Sequence, residues 1–232
     1  MNKADSSHQK IKAVLFVVIQ IILFPLIQIP PADISALFSY ISIILVAIFA
    51  MTVRLKERDG HLVRLGIILT LVADFFLILC EDRMLEGVIC FFFVQMCYFS
   101  YLLVREERVK LRVLNVIFRI ALSIILIAVA AIVLGNDIGM LEIASVLYYG
   151  NLLMNCIFAF TRFGEEKLFA IGLALFAMCD MCIGVDVLFD TYLNSNALSF
   201  IFSYPYANVS WIFYQPSQVL IALHLMCKGR EV

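Results

Sequence analysis

Two aspartates lie inside long apolar runs of the chain, where a carboxyl group needs a specific reason to be present. Asp74 stands in LVADFFLIL and Asp180 stands in LFAMCDMCI. An ionisable side chain at the middle of a membrane is costly and usually faces a polar cavity or a partner. Two carboxyls in unlike surroundings can divide acid and base roles between them. The pair predicts a catalytic acid–base site; the structural alternative is a hydrogen bond between helices.

Polar side chains recur at helical spacing in the neighbouring apolar runs. Residues three or four positions apart lie on one face of a helix, so each set forms a stripe that could line the same cavity. Tyr101 lies three residues after Tyr98, and Asn155 lies four residues after Asn151, so these two residues continue two of the stripes. We predict six substrate-binding side chains: Gln95, Tyr98, Tyr148, Asn151, Tyr214 and Gln218. The chemistry proposed for them needs neither a metal ion nor an organic cofactor.

Two basic residues near these stripes have simpler interpretations. Arg119 lies one or two turns inside an apolar run, from which its long side chain is expected to snorkel to the membrane surface. His224 lies close to the end of the last apolar run and is expected to be solvated. The alternative interpretation of Arg119 is that it binds a phosphate group.

The composition places these residues in a membrane protein. Of the 232 residues, 64% are hydrophobic and 15% are charged, against about 45–50% and about 25% in an average soluble domain. A helix needs about 20 mainly apolar residues to cross a bilayer. The class is therefore all-α, a polytopic helix bundle with eight predicted spans, at residues 11–29, 33–53, 63–81, 85–104, 112–134, 139–161, 168–188 and 207–226.

The basic residues indicate the orientation of the bundle. Arg119 lies inside a predicted span. All the other lysines and arginines except Arg83 lie in or near the connections on one side of the membrane, and Arg83 lies on the other side. Short connections rich in Lys and Arg stay in the cytoplasm, so both termini are predicted to be cytoplasmic. Residues 1–10 and 227–232 would be short tails around a membrane domain at 11–226. The net charge of −1 suggests no nucleic-acid partner.

An internal repeat relates the two aspartates. Sliding the third span onto the seventh superposes Gly66 on Gly172 and Asp74 on Asp180. Both carboxyls fall roughly 16–18 Å into their helices at about 1.5 Å per residue. The pattern predicts two parallel four-helix repeats, 11–104 and 112–226, which would place both carboxyls at mid-membrane. The long connection 189–206 is rich in aromatic residues and suggests an interfacial flap.

Several segments resemble the YhhN family. RLGIILTLVADFFLILCEDRMLEGVICFFFVQMCYFSYLL is similar to its first motif block and FAIGLALFAMCDMCIGVDVL to its second. LYYGNLLMNCIFAF and WIFYQPSQVLIAL are similar to its sixth and last spans, so the resemblance covers roughly residues 60–226. On this mapping Asp74 and Asp180 take the places of the two motif aspartates.

The chain departs from the family pattern at several positions. Ala73 replaces a glycine, Cys179 a serine and Gln95 a histidine, while Tyr98 is retained. The Lys-Pro pair at the start of the second span is replaced by Pro30, Pro31 and Ala32. The changes at Gln95 and at this pair remove a proton carrier and a phosphate contact.

The resemblance implies a lysoplasmalogenase, a membrane hydrolase that splits the vinyl-ether bond of lysoplasmalogens into an aldehyde and a glycerophospho-base. The implied partner is a membrane lipid or lysophospholipid. The alternatives are a non-catalytic lipid-binding or regulatory protein, or a proton-coupled transporter that uses the same aspartates. The endoplasmic reticulum and the plasma membrane are the expected locations, and the sequence indicates no oligomeric state.

Overall fold

The computed structural model describes residues 3–28, 31–55, 57–80, 82–135, 138–188 and 209–228, which form eight helices and no strand. The all-α prediction is thus confirmed. The helices are α1 (Lys3–Gln28), α2 (Ala32–Thr52), α3 (Gly60–Leu79), α4 (Met84–Arg105), α5 (Val109–Leu134), α6 (Met140–Phe160), α7 (Phe163–Leu188) and α8 (Val209–Lys228). The flap predicted at 189–206 lies outside the described residues.

Seven of the eight described helices are long and apolar enough to cross a membrane, which makes the chain an integral multi-pass membrane protein. The other helix, α8, has the same length as α3 but is less apolar. Its polar side chains Gln215, Gln218 and His224 are buried in the protein and do not face its surroundings. A core helix of this kind can carry amides where a lipid-facing helix could not.

Four helices begin at least three residues earlier than the apolar pattern predicts. α1 begins at Lys3 and not at residue 11, α3 at Gly60 and not at 63, α5 at Val109 and not at 112, and α7 at Phe163 and not at 168. Polar and charged residues open each of these helices, so hydropathy alone places the start too late. In α7 the backbone at Glu166 is non-helical, with φ −114° and ψ 23°, so a kink separates the first turn from the rest.

The helices divide into a packed centre and a lipid-like exterior. α8 contacts α1, α2, α3 and α7, whereas α5 packs mainly against α6. The exposed aliphatic side chains of α5 include Ile132 and Val133, which are 81% and 66% exposed. Side chains of this kind on an outer helix are suited to hydrocarbon, which places the polar residues described below in the protein interior.

Two glycines allow the helices around the aspartates to approach closely. A Cβ at Gly66 on α3 would overlap the ring of Tyr98 on α4. A Cβ at Gly172 on α7 would lie 2.7 Å from Ile221 Cγ1 and 3.1 Å from the Ser217 carbonyl oxygen on α8. Small residues at such crossings let backbones pack tightly, and here they bring α3 against α4 and α7 against α8.

Candidate functional site

Each of the two aspartates is held by a tyrosine from another helix. Tyr214 on α8 donates a hydrogen bond to Asp74 Oδ2 on α3, with 2.6 Å between the oxygens. Tyr148 on α6 donates a hydrogen bond to Asp180 Oδ2 on α7. Asp74 is only 3% exposed, whereas Asp180 is partly buried. The two carboxyls therefore have similar partners but different access to their surroundings.

Phe91 and Phe176 connect the two carboxyl–tyrosine pairs. The Phe91 ring centroid lies 5.5 Å from that of Tyr148 and 6.4 Å from that of Tyr214. Phe176 lies 6.3 Å from Tyr148 and 5.4 Å from Tyr214, and the two phenylalanines are 5.5 Å apart. We call these four rings the aromatic cluster. Each carboxyl is hydrogen-bonded to one tyrosine of this cluster, so the cluster lies between the two pairs.

Five helices converge on this site. The close approach of α3 and α4 is visible one position before Asp74, where a Cβ on Gly87 would lie 3.2 Å from the Ala73 carbonyl oxygen. Ala73 is fully buried there, so its methyl group is accommodated although the family pattern has glycine. The local packing therefore keeps Asp74 on the inner face of α3.

A second polar group surrounds Arg119, which is 8% exposed, so the prediction that it snorkels was wrong. Its Nη1 donates to Asn151 Oδ1 at 2.5 Å, and its Nη2 to Asn155 Oδ1 at 2.8 Å and Asn115 Oδ1 at 3.3 Å. The guanidinium also lies 4.1 Å from the Phe99 ring centroid. Within the described chain no carboxylate reaches it, so amide oxygens and a π face stabilise the charge.

Gln95 and Asn151 belong to this Arg119 group and do not contact the carboxyls. Asn155 Nδ2 donates to Gln95 Oε1 at 3.0 Å and to the Gln95 carbonyl oxygen at 2.9 Å. Because Tyr148 and Asn151 are neighbours on one face of α6, the Arg119 group lies about one turn from the Asp180 pair. The polar stripe predicted on α6 thus links two distinct groups.

A third polar group lies at the end of the bundle where α4 and α8 end and α3 and α7 begin. We call this the basic end. Tyr101 donates a hydrogen bond to Glu166 Oε2 at 2.7 Å, and its hydroxyl lies 2.8 Å from His224 Nε2. His224 is 2% exposed, so the prediction that it is solvated was wrong. Arg105 connects the group to the surface with Nη2 2.7 Å from Glu57 Oε2 and Nε 2.6 Å from Asp59 Oδ2.

The six predicted binding residues fall into different places. Tyr148 and Tyr214 contact the carboxyls, while Gln95 and Asn151 join the Arg119 group. Tyr98 packs against Gly66, and Gln218 Nε2 lies 3.3 Å from Ser217 Oγ. Sequence reasoning missed Phe91 and Phe176, because an aromatic residue in a membrane helix gives no signal that separates a site from ordinary core.

Other features of the described residues lie away from the carboxyls. A crevice of about 400 Å³ opens between α4 and α5 and is lined by Leu103, Val104, Arg112, Val113, Val116 and Ile117. The described residues contain no group of three or more His, Cys, Asp or Glu side chains that could hold a metal ion.

Comparisons with known proteins identify one relationship. A family model described as the YhhN family matches residues 34–225, which include both aspartates and every helix from α2 through most of α8. None of the curated proteins compared with the chain matches it, and none of the solved structures does.

Proposed function

The chain belongs to the YhhN family, and from this premise we propose that it is a membrane hydrolase of the lysoplasmalogenase type. The substrate would be a lysoplasmalogen, whose vinyl-ether bond is cleaved by acid and base catalysis at Asp74 and Asp180. The observation that supports this proposal best is the arrangement of two carboxyl–tyrosine pairs around the aromatic cluster, with Asp74 buried and Asp180 partly buried. A single carboxyl could serve packing alone, but two around one cluster provide an acid and a base.

The first step of vinyl-ether hydrolysis is protonation of carbon. The carboxylic acid gives its proton to the vinyl carbon beta to the ether oxygen, and the π electrons of the double bond form the new C–H bond. Positive charge is left on the alpha carbon and the ether oxygen. We assign this donor role to Asp74, since a carboxyl that is 3% exposed loses less by staying neutral than by carrying a buried charge.

The second step is the addition of water. The water oxygen bonds to the alpha carbon while the Asp180 carboxylate accepts a proton from it, which gives a hemiacetal. The hemiacetal hydroxyl then loses its proton, the bond to the glycerol oxygen breaks, and that oxygen gains a proton. The products are an aldehyde and a glycerophospho-base, and one water is consumed. Transfer of a proton from Asp180 to Asp74 restores the starting state.

The aromatic cluster suits the charge that develops between these steps. The intermediate is an oxocarbenium cation, and the faces of Phe and Tyr rings attract cations by their quadrupole. Tyr148 and Tyr214 also fix the carboxyl oxygens, leaving the other oxygen of each group for the substrate or water. Gln95 stands where the family has histidine, but its amide is held by Asn155, so the proton steps need only the carboxyls.

The test is release of aldehyde from a lysoplasmalogen by the purified protein, compared with its Asp74→Asn and Asp180→Asn variants. Loss of a general acid or base lowers the rate by about 10²–10⁴-fold, so both variants should lose nearly all activity. The exposed Asp33 on α2 is a matched control, and Asp33→Asn should keep the wild-type rate. Asparagine keeps the size of the side chain, and an unchanged thermal midpoint would show that the variants remain folded.

Two results would contradict the proposal. Wild-type rates in either site variant would exclude carboxyl catalysis at that position. An absence of aldehyde from the folded wild-type protein, together with Asp74-dependent proton flux in proteoliposomes, would favour a transporter.

A further inference from the structure

Four buried polar atoms lie on the helix segments between the carboxyls and the basic end and make no hydrogen bond of normal geometry to another described protein atom. They are Thr70 Oγ1, Gln95 Nε2, Tyr98 OH and Gln218 Oε1. Each of these residues is at most 1% exposed. An unsatisfied buried group costs about 1–3 kcal/mol, and buried polar atoms in folded proteins nearly always pair with protein or with water. These four atoms therefore need partners.

Thr70 on α3 and Gln218 on α8 lie next to the hydrogen-bonded pair of Asp74 and Tyr214, on the side of the basic end. Thr70 is four residues from Asp74, and Gln218 is four residues from Tyr214, so each lies one turn away on the same helical face. Both steps lead toward the basic end, because α3 begins there and α8 ends there. Thr70 and Gln218 thus form the layer next to the carboxyl.

α4 supplies the other two atoms. Contacts between α4 and α8 occur at Phe91 with Tyr214, where the centroids are 6.4 Å apart, and at Tyr101 with His224, where they are 5.7 Å apart. Gln95 lies one turn from Phe91 on the segment between these contacts, and its Oε1 accepts a hydrogen bond from Asn155 of α6.

Tyr98 continues the same line toward the basic end. Its hydroxyl is close enough to the Thr70 hydroxyl for the two to interact, although the pair makes no hydrogen bond of normal geometry. The Tyr98 ring centroid lies 5.3 Å from that of Phe169. Phe169 in turn contacts Tyr101 and His224, with centroid distances of 5.2 Å to each. We call Thr70, Gln95, Tyr98 and Gln218 the polar column.

Charged side chains extend this line from the polar column to solvent. Side-chain exposure falls from 49% at Glu57 to 18% at Arg105 and 0% at Glu166. Arg105 Nε lies 3.8 Å from Glu166 Oε1, and Glu166 accepts the hydrogen bond of Tyr101. A graded series of polar groups therefore runs from the surface of the basic end into the core.

We propose that the polar column holds a file of buried water molecules and is the route by which water reaches the carboxyl pair from the basic end. A buried water typically makes two to four hydrogen bonds to polar groups that would otherwise lack partners, and the column offers four such atoms. Hydrolysis consumes one water in each turnover, and the lipid around the bundle supplies none. The purpose of the route rests on the proposed function; the presence of water in the column does not.

Hydroxyl-radical footprinting tests this proposal, because radicals formed from bound water oxidise the side chains beside it. The protein is irradiated in lipid nanodiscs without substrate, and oxidation is located by mass spectrometry. Tyr98 should be oxidised although it is fully buried, whereas Phe49, which is 6% exposed and stacks on Phe16 with centroids 4.2 Å apart, should be protected.

Variants that remove polar atoms of the polar column should exclude water from it. Thr70→Val combined with Gln218→Leu should abolish oxidation of Tyr98, and Thr70→Val alone should reduce it if the double variant does not fold. Ser100→Ala is the matched control, because the Ser100 hydroxyl bonds to Met96 in its own helix and its loss should leave Tyr98 oxidation unchanged.

Protection of Tyr98 in the wild-type protein, or equal oxidation in the folded Thr70 and Gln218 variants, would overturn the proposal. The footprint requires no turnover, so its result is separate from the aldehyde assay. A protein with an oxidised Tyr98 and no hydrolase activity would retain the water file while the hydrolase proposal failed.

Discussion

At the scale of single residues, Tyr214 and Tyr148 orient the carboxyl groups of Asp74 and Asp180. Each phenol donates one hydrogen bond to one carboxyl oxygen. A hydrogen bond to a charged or chemically active carboxyl fixes its orientation, and the proposed mechanism needs the remaining oxygen to point at the substrate. The phenols therefore act as positioning groups, whose effect on turnover is separate from that of the carboxyls themselves.

We predict that Tyr214→Phe and Tyr148→Phe each slow aldehyde release without abolishing it. Hydrogen bonds to charged groups are worth about 1.5–3 kcal/mol, which corresponds to a decrease of roughly ten- to a hundredfold in kcat. Steady-state kinetics on lysoplasmalogen should show the loss in kcat, with KM little changed. A loss as large as that of the aspartate variants would instead assign the phenols a direct proton-transfer role.

Tyr149→Phe is the matched control for these variants. Tyr149 is the next residue after Tyr148 and is partly exposed, and no hydrogen bond from it to Asp74 or Asp180 occurs among the described residues. Its rate should equal that of the wild type. A comparable loss in this variant would mean that the effect comes from general packing near the aromatic cluster.

At the scale of helices, Gly172 determines how closely α7 approaches α8. Replacing it with alanine would place a methyl group 2.7 Å from Ile221 Cγ1 and 3.1 Å from a backbone oxygen that cannot rotate away. Overpacking of this kind costs about 1–3 kcal/mol. We predict that Gly172→Ala lowers the thermal midpoint of the protein in detergent and weakens activity, because Asp180 lies two turns further along α7.

Gly184→Ala tests the same change where there is space. Gly184 lies on the same helix with no neighbouring atom of the described residues within 4 Å of its Cβ position. Alanine is a better helix former than glycine by about 1 kcal/mol, so this variant should be as stable as the wild type or more so. A lower midpoint for Gly184→Ala than for Gly172→Ala would contradict the tight crossing.

The helices and the pairing of the aspartates follow from the sequence because both leave periodic or compositional signals. Long apolar runs predict the helices, and the depth of Asp74 and Asp180 in corresponding runs predicts their relation. The partners of Arg119 and His224 were not predictable in this way. A cationic side chain inside an apolar run is expected to extend to water. Only the packing of α5 against α6 shows that Asn115, Asn151 and Asn155 surround Arg119.

The helix starts and the aromatic cluster also lay beyond sequence reasoning. Lys3 opens α1 with polar residues that hydropathy assigns to a tail, since a helix can extend past the apolar part of its run. Phe91 and Phe176 are two of 20 phenylalanines in the chain, and their contact with the tyrosines depends on tertiary packing. What the sequence provides is the chemistry of the site; which apolar side chains surround it depends on the crossing of five helices.

At the scale of the whole molecule, the helix contacts suggest two related halves. The contacts α1–α2, α2–α3 and α3–α4 correspond to α5–α6, α6–α7 and α7–α8. The contact of α4 with α6 likewise corresponds to that of α8 with α2. The same interval along the chain separates Tyr101 from His224, Gln95 from Gln218 and Phe91 from Tyr214. We propose that α1–α4 and α5–α8 are parallel halves that arose by duplication.

If each half crosses the membrane four times, the start of α1 and the end of α8 lie on one side of the membrane, and the basic residues predict that this side is the cytoplasm. The exposed Cys227 at the end of α8 is a natural reporter, and Met140→Cys at the 72% exposed start of α6 reports the opposite side. In sealed vesicles with the cytoplasmic face outward, an impermeant thiol reagent should label Cys227 and spare Met140→Cys, with Cys227→Ser identifying the signal. Labelling of both positions, or of Met140→Cys alone, would reject this orientation and the even number of crossings in the second half.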